Sequence, residues 1–258
     1  MRLATIIRYA RPRIAAQSRA GWCPVCGRRT VFVVVHPERI REDARCLWCR
    51  SLARNRYVAL CAVECFAGRG IRSLKDFACV ADLRVYNLAA QGCFVRVWGE
   101  APNITCSEHL ERGLSGEVCD RVLCQDVERL SFPDESFDLV LSEEVFEHVR
   151  DWRRGMREVL RVLRPGGHHV FSVPLHLNEP TRDRFARGDG DVCLLPAEYH
   201  GDPIRGRSVV QTSFGYDAGA LVAELGFEVR LRIASYAEQV RYGVFGSYTF
   251  IARKPGGN

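Results

Sequence analysis

FPDESFDLVLSEEVFEHV, residues 132–149, is the stretch that best indicates how this chain folds. Residues 133–136 are turn-forming types, and the apolar run 137–141 after them predicts a buried strand. The strand ends at Ser142-Glu143-Glu144. In an open α/β sheet, ligands bind at the carboxyl ends of the parallel strands. The two carboxylates therefore predict a ligand site at the tip of this strand.

A helix and another strand are predicted directly after this tip. Pro165-Gly166-Gly167 provides a stop signal at the end of a helical pattern. The apolar positions of that pattern are Met156, Val159, Leu160 and Leu163. The apolar run 170–173 then predicts the next strand. Alternating strands and helices predict an α/β fold, with a parallel sheet and helices on both of its faces.

Further strands are predicted on both sides of this unit. Three precede it, at residues 83–89, 103–106 and 118–124. A helix at 217–225 follows it, and then residues 227–233 and 248–252 form a C-terminal antiparallel pair. The catalytic domain is expected to cover residues 81–258. Its segment 174–216 has no regular periodicity, and a segment that long is usually functional or disordered.

Four cysteines near the N-terminus have the spacing C-x2-C-x19-C-x2-C: they are Cys23, Cys26, Cys46 and Cys49. Two residues between paired cysteines let both sulfurs face one ion, and two such pairs complete a tetrahedron around Zn²⁺. Because this arrangement leaves no open position, the predicted zinc is structural. A redox-active pair is the alternative, although it needs only one CxxC. Residues 21–66 are therefore predicted to form a zinc ribbon followed by a basic helix.

Charge is distributed unevenly along the 258 residues, whose net charge is +6. Residues 1–60 contain 13 arginines and three acidic residues, whereas the remainder contains 24 basic and 28 acidic side chains. We interpret residues 1–20 as a basic arm and residues 67–80 as a linker. No apolar run is long enough to cross a membrane. Most of the twelve cysteines are scattered, which favours reduced thiols and a cytoplasmic location.

Three motifs resemble those of class I S-adenosylmethionine (SAM) methyltransferases: FPDESFDLV at 132–140, EHV at 147–149 and VLRPGG at 162–167. The resemblance covers about residues 81–255. It implies a Rossmann-like doubly wound sheet, SAM as the cofactor, and methyl transfer to an O or N nucleophile of a small-molecule acceptor. The zinc knuckle with its basic helix also resembles a leader found before some bacterial methyltransferase domains.

The resemblance implies a SAM site at the tips of the first three strands. Glu108 lies 21 residues beyond Asn87, close to the usual interval between the first turn and the acid that binds the ribose. Asp126 and the Val127 N–H would bind the adenine. The alternatives are a solvated Glu108 and a helix-capping Asp126. The predicted cofactor-binding set is Asn87, Ala89, Gly92, Glu108, His109, Asp126, Val127 and Glu143.

The first turn departs from the family pattern, which is an acid followed by glycines at alternate positions. Asn87 replaces the acid, and Gly92 is the only glycine in residues 87–93. The small side chains of Ala89 and Ala90 still allow a ligand close to the backbone. A weakened or lost cofactor site is therefore an alternative.

His148, Tyr199 and His200 are the predicted catalytic residues. His148 follows the fourth strand tip, and histidine titrates near neutral pH, so it can act as a base. Its alternative role is to fix the loop through a backbone hydrogen bond. Tyr199 and His200 belong to the run YHGDP in segment 174–216, which resembles part of the same zinc-knuckle methyltransferases. This segment is predicted to be a lid over the acceptor.

Two other classes of function remain open from the sequence. The basic N-terminal region favours a nucleic-acid-binding protein, with the zinc ribbon as the binding module and the methyltransferase fold as a degenerate scaffold. Aromatic residues that could stack on bases are sparse there. A nicotinamide oxidoreductase requires a glycine fingerprint after the first strand, and that fingerprint is missing. The sequence does not specify the acceptor or the oligomeric state.

Overall fold

The computed structural model describes residues 18–110, 113–186, 192–202 and 206–257. Most of the predicted basic arm, residues 1–17, lies outside the described residues. The chain divides into two compact units. The first comprises Met1–Leu83, Gln91–Ile104 and Arg232–Thr249, and the second comprises Arg84–Ala90, Thr105–Leu231 and Phe250–Asn258. Each unit is thus built from three stretches of chain, whereas the domains predicted from the sequence are contiguous. Those domain boundaries stay a prediction.

The described residues form strands from the zinc-ribbon region to the C-terminus. In chain order they are β1 (Arg19–Cys23), β2 (Arg28–Val33), β3 (Arg45–Cys46), β4 (Val85–Asn87), β5 (Ile104–Glu108), β6 (Val118–Cys119), β7 (Val122–Cys124), β8 (Phe137–Glu143), β9 (Leu163–Ser172), β10 (Leu175–His176), β11 (Arg182–Asp183), β12 (Tyr199–Asp202), β13 (Gly206–Val209), β14 (Thr212–Gly215), β15 (Glu228–Ile233) and β16 (Tyr248–Arg253).

The α-helices are short. They are α1 (Ala53–Cys65), α2 (Cys93–Trp98), α3 (Trp152–Val162), α4 (Ala218–Ala223) and α5 (Tyr236–Tyr242). Short 3-10 helices occur at Pro37–Glu42, Leu74–Cys79, Val127–Arg129 and Phe146–His148. Among the described helices, none has the length and hydropathy that a membrane span requires.

The first unit contains a three-stranded antiparallel sheet in the order β1-β2-β3. The guanidinium of Arg56, on α1 of this unit, is fully buried and joins several segments by hydrogen bonds. Arg56 donates to the carbonyl oxygens of Ser51, Ala44, Tyr242 and Gly243 at 2.5–2.8 Å. Because a buried cation is costly unless it is hydrogen-bonded, these four acceptors hold three distant pieces of chain in one place.

Residues 67–80 pack against the rest of the first unit. The indole Nε1 of Trp98 donates to the carbonyl oxygen of Leu74 at 2.7 Å. The buried amide nitrogen of Asn103 lies 2.8–3.0 Å from three carbonyl oxygens, those of Phe77, Val80 and Leu83, which share its two hydrogens. The segment that we interpret from sequence as a linker therefore makes buried hydrogen bonds, and it contains one short 3-10 helix.

The second unit is built around the larger sheet, whose strand order is β15-β16-β9-β8-β4-β5-β7-β6. The pairs β4–β8, β8–β9 and β5–β7 are parallel, and β16 pairs with β9 antiparallel. Strand β5 lies on one side of β4 and β8 on the other, so the chain reverses its winding direction at β4. This mixed sheet with helices fits the predicted Rossmann-like class, and its switch point is where ligands bind in such sheets.

The core of the second unit joins α3 to this sheet. Trp152, Met156 and Val159 of α3 belong to one buried cluster with Val140 of β8 and Phe171 of β9. Successive apolar positions on α3 therefore face the strands, as the helical spacing in the sequence predicts. The packing fixes the end of β8, which carries the predicted acceptor-side residues.

Several elements differ from the sequence-based predictions. The predicted third strand is a hairpin of β6 and β7, because Asp120 and Arg121 both adopt positive φ (50° and 66°) and reverse the chain. Strand β9 begins at Leu163 and runs through the Pro-Gly-Gly stop. Segment 174–216 contains five short strands, β10 to β14. Helix α5 was not predicted; it begins with a capping box between Ser235 and Glu238.

Candidate active site and candidate metal centre

The four cysteines of the CxxC pairs converge in the first unit. Their Sγ atoms all lie within 4.8 Å of one another, and every one of these side chains is buried. The Sγ atoms of Cys23 and Cys49 are 3.6 Å apart, and those of Cys26 and Cys46 are 4.0 Å apart. Four sulfurs bound tetrahedrally at about 2.3 Å from Zn²⁺ would be separated by roughly 3.8 Å. The geometry of the donor set therefore fits a tetrahedral zinc ion.

Two tight turns aim the sulfurs inward. After the first pair, Gly27 has φ +67° and its N–H donates to the carbonyl oxygen of Cys23 at 2.9 Å. After the second pair, Arg50 has φ +61° and donates equivalently to Cys46 at 3.0 Å. A Cβ at position 27 would lie 2.8 Å from the Ser73 Oγ, so glycine is required there on two grounds.

The cofactor side of the second unit lies at the carboxyl ends of β4 and β5. Asn87, at the end of β4, is buried, and its Nδ2 donates to the carbonyl oxygen of Ala89 at 2.7 Å. This hydrogen bond closes the turn after β4. In the family pattern, glycines occupy this turn. Glu108, at the end of β5, accepts from the Ala90 N–H at 3.4 Å. The structure thus brings Asn87, Ala89 and Glu108 together at one edge of the sheet.

Asp126 follows β7 and has a local partner. Its Oδ1 accepts from the Glu128 N–H at 2.9 Å, which caps the following 3-10 turn, and Val127 is buried beside it. Asp126 therefore caps the turn, as the alternative interpretation predicts. Its second carboxylate oxygen is not needed for the cap. Glu143 is half-buried at the end of β8, and His109 is exposed after β5.

Gly92 belongs to the first unit, where it precedes α2 with φ +103°. A Cβ built at Gly92 would meet no heavy atom of the described residues within 4 Å. The backbone there is consequently open to a ligand. Within the second unit, the carboxylates of Glu108 and Asp126 are of the kind that bind ribose hydroxyls and an adenine amino group, so they fit SAM.

The acceptor side is a cluster of Glu147, His148 and His200 in the second unit. Each offers one ligand atom within 4.8 Å of the other two. The Glu147 Oε1 lies 3.7 Å from the His148 Nε2 and 3.8 Å from the His200 Nδ1. The rings of the two histidines meet edge to face, with centroids 5.2 Å apart. A 3-10 turn after β8 carries Glu147 and His148, and the β12–β13 hairpin carries His200.

The other ring nitrogen of each histidine has an acceptor. The His148 Nδ1 lies 2.7 Å from the Val209 carbonyl oxygen, and since a carbonyl only accepts, Nδ1 carries the proton. The His200 Nε2 lies 3.4 Å from the Glu198 Oε1. These contacts turn the His148 Nε2 and the His200 Nδ1 toward Glu147. His148 therefore makes the backbone hydrogen bond expected of a loop-fixing residue and still presents a second nitrogen.

Burial and charge act in opposite directions within the cluster. Burial raises the pKa of the Glu147 carboxyl group, with His200 opposing that shift. The Glu147 carboxylate in turn raises the pKa of His200. Glu147 is 1% exposed, and neither of its carboxylate oxygens has a hydrogen-bond partner among the described residues. The cluster therefore favours a bound proton or another cation between its members.

Tyr199 is not brought into this cluster. Adjacent residues of a strand point to opposite faces, so Tyr199 and His200 diverge on β12. The ring of Tyr199 is 51% exposed, and the guanidinium of Arg207 lies over it at 4.6 Å from the centroid. The structure thus joins two of the three predicted catalytic residues, His148 and His200.

Glu147 is the member of this cluster that the sequence-based selection missed. Glu147 lies in the EHV motif, directly before His148. It follows apolar Val145 and Phe146, and an acid in such an apolar stretch could have indicated a buried carboxylate. Glu198 was missed as the partner of His200. Their roles depend on a hairpin that returns to β8, and sequence spacing does not reveal that return.

Comparison with protein families finds a match in the sheet-forming part of the chain. Residues 86–171 are similar to the family model described as "Methyltransferase domain". The match runs from β4 through β9, so it includes Glu108, Asp126 and the Glu147-His148 pair. The resemblance to methyltransferases is confirmed over this segment, and the nucleic-acid-binding alternative is not favoured.

Individual relatives match only part of their own length. The chain is 49% identical over 71 residues to a phthiotriol/phenolphthiotriol dimycocerosates methyltransferase of Mycobacterium tuberculosis, covering 28% of this chain and 24% of that one. It is 34% identical over 101 residues to a 27-O-demethylrifamycin SV methyltransferase of Amycolatopsis mediterranei, covering 38% and 31%. A solved SAM-dependent methyltransferase from Mesorhizobium loti is 18% identical, with a TM-score of 0.40 over 68% of this chain and 92% of that one.

Proposed function

We propose that this protein transfers the methyl group of SAM to an oxygen or nitrogen nucleophile of a small molecule. The observation that carries the proposal is the methyltransferase-domain match over residues 86–171, which falls on the strands around the switch point of the sheet. When bound, SAM supplies a methyl group on a positively charged sulfur, ready for displacement. The residues of this chain bind it, orient the acceptor and accept the acceptor's proton.

On the cofactor side, Glu108 is proposed to accept hydrogen bonds from the two ribose hydroxyls. It is supported by its place at the end of β5 and its contact with the turn after β4. Asp126 and the Val127 N–H are proposed to bind the adenine edge, and Asn87, Ala89 and Gly92 the amino-acid end. His109 and Glu143 complete this proposed set.

On the acceptor side, His148 and His200 are proposed to hold the nucleophile and receive its proton. Holding the nucleophile in line with the methyl group supplies much of the acceleration in such a displacement. The cluster suits this task because Glu147 is buried beneath two part-exposed imidazoles. A proton released by the acceptor can then remain between Glu147 and His200.

The acceptor is proposed to be a hydroxyl-bearing small molecule. Two relatives are named for the methylation of phthiotriol compounds and of the 27-O position of a demethylrifamycin. These matches span about a quarter to a third of the relatives' length, so the acceptor of the whole protein is part of the proposal. We also propose that one structural Zn²⁺ is held by Cys23, Cys26, Cys46 and Cys49. The cytoplasmic location stays a prediction.

Calorimetric titration with SAM tests the cofactor side. Glu108→Ala should weaken SAM binding by about 1–3 kcal/mol, because the ribose hydroxyls lose their acceptor. Asp126→Asn should also weaken binding, since the amide can still cap the 3-10 turn while its charge is lost. Glu224→Ala, at an exposed position of the second unit, is the control.

Equal SAM affinity in the Glu108 and Asp126 variants and in the parent protein would place the cofactor elsewhere. Absence of binding by the parent protein at millimolar SAM would contradict the proposed activity itself.

A further inference from the structure

The cluster at the end of β8 has an unusual buried acid. Glu147 is 1% exposed, and both of its carboxylate oxygens lack a hydrogen-bond partner among the described residues. A buried polar group without a partner costs free energy, so an unpaired carboxylate at a candidate site indicates a missing ligand. The nearest nitrogens, on His148 and His200, lie too far away for hydrogen bonds, at 3.7 and 3.8 Å.

These distances match those between ligands of one metal ion. Two ligand atoms bound at about 2.1 Å, with a tetrahedral angle between them, lie roughly 3.4 Å apart. The Oε1 of Glu147, the Nε2 of His148 and the Nδ1 of His200 approach this separation without touching. An ion at their centre would bind all three atoms and balance the charge of the carboxylate.

The surroundings of the two histidines are those of metal ligands. A metal-binding imidazole usually donates its other N–H to a carbonyl or a carboxylate, which fixes the tautomer and the ring orientation. His148 donates in this way to the Val209 carbonyl, and the His200 Nε2 faces the Glu198 carboxylate. Each imidazole thus turns its other ring nitrogen toward Glu147.

We infer that Glu147, His148 and His200 form a binding site for a divalent transition-metal ion. Two imidazoles and one carboxylate suit Zn²⁺, Fe²⁺ or Co²⁺, and three protein ligands leave coordination positions open. The site itself stands on the geometry of this chain. When bound, the ion would take the place of the proton between Glu147 and His200, and it would hold the acceptor oxygen at an open position and favour its deprotonation; this role rests on the proposed methyl transfer.

The four-cysteine cluster would be a different kind of site. It offers four soft thiolates and closes a tetrahedron, whereas this cluster offers two nitrogens and one oxygen. Co²⁺ distinguishes the two, because thiolate ligands produce a charge-transfer absorption band that nitrogen and oxygen ligands do not. Protein prepared with zinc on its cysteines can therefore be titrated with Co²⁺ alone.

We expect one further equivalent of Co²⁺ to bind, with visible absorption and without a thiolate charge-transfer band. His200→Ala and Glu147→Gln should abolish this equivalent. Glu198→Gln should weaken Co²⁺ by roughly 10-fold, the low end for losing a partner of a metal-bound histidine. His176→Ala is the matched control, because this exposed histidine lies in the same segment, 174–216, on β10.

No Co²⁺ binding by the parent protein beyond its zinc would overturn the metal site, as would equal binding by the His200→Ala variant. A thiolate charge-transfer band as the only cobalt signal would also overturn it. Circular dichroism of the same samples shows whether each variant is folded, and titration of the parent protein with SAM keeps the two proposals separate. Absence of SAM binding by the parent protein with retained Co²⁺ binding would count against the methyltransferase function and leave the metal site in place.

Discussion

Arg56 and Glu147 are both almost fully buried charged groups, and the two units treat them in opposite ways. Arg56 donates to four carbonyl oxygens and remains cationic, although burial lowers its pKa to about 10. The two carboxylate oxygens of Glu147 have no hydrogen-bond partner among the described residues. A fully bonded buried charge holds a structure together, whereas an unpaired one marks a place where a ligand or a proton belongs.

The two candidate ligand clusters differ in the same sense. The four cysteines come from two turns close in sequence, are all buried, and would enclose an ion completely. The Glu147–His148–His200 cluster joins residues more than fifty positions apart, and both histidines are partly exposed. We conclude that the first cluster suits stability and that the second suits chemistry on a molecule that enters and leaves.

The largest effect is expected from breaking the four-cysteine cluster, which is called the closed cluster below. The Glu147–His148–His200 cluster is called the open cluster. Cys46→Ser should abolish zinc binding and unfold the cysteine region, because a structural zinc contributes about 10–16 kcal/mol in small zinc modules. Elemental analysis and thermal melting measure the two consequences. Cys79→Ser, at an exposed cysteine, should leave both unchanged. Unaltered zinc content and melting temperature in the Cys46→Ser variant would contradict the proposed zinc site.

The sequence could predict the closed cluster but only part of the open one. The cysteine spacing specifies its geometry locally, since each turn needs only four or five residues. The open cluster requires the hairpin of β12 and β13 to return to β8, and no local pattern encodes that return. Tyr199 illustrates the limit: the sequence places it beside His200, but on a strand the two side chains face opposite sides.

The sheet was predictable where apolar runs were strong and less so where turns lacked their usual residues. Strand β8 and helix α3 follow directly from the periodicity of residues 137–162. The hairpin of β6 and β7 was missed because Asp120 and Arg121 take positive φ without a glycine. Turns of this kind usually carry Asn-Gly or Asp-Gly, so the sequence offered no warning.

The second-largest effect is expected from His169 on β9, the strand that pairs with β8 next to the open cluster. His169 on β9 is fully buried, its Nε2 lies 2.9 Å from the Ser142 Oγ of β8, and its Nδ1 has no partner among the described residues. Burial lowers the pKa of His169 from 6.5 to about 3. Below pH 6.5 the unfolded chain therefore binds a proton that the folded protein excludes, and stability falls as the pH decreases toward 3.

Between pH 6.5 and 4.5 this histidine should remove about 2 kcal/mol from the free energy of unfolding, with a slope that approaches about 1.4 kcal/mol per pH unit. His169→Gln should flatten that part of the pH profile, measured by urea denaturation. His36→Gln, at an exposed position, should leave the slope as it is. Parallel profiles for the parent and His169→Gln would show that the strand tolerates the charge.

The smallest effect concerns the edge of the open cluster. Tyr199→Phe should reduce turnover by less than about twofold and leave SAM affinity unchanged, because its hydroxyl lies on the far face of β12 and its ring contacts Arg207. His200→Ala should reduce turnover far more under the same conditions. Steady-state rates with one acceptor compare them. A Tyr199 loss equal to that of His200 would show that the hairpin rearranges when the acceptor binds.

The hydrogen bonds of Arg56 also impose an order of events during synthesis. Its acceptor Gly243 lies 187 residues further along the chain. At about 5–20 residues per second, a ribosome needs on the order of 10 to 40 s to make that partner after it makes Arg56. All four cysteines emerge before Arg56 does. Metal loading can therefore begin early on the nascent chain, whereas the first unit closes only after Gly243 has been made.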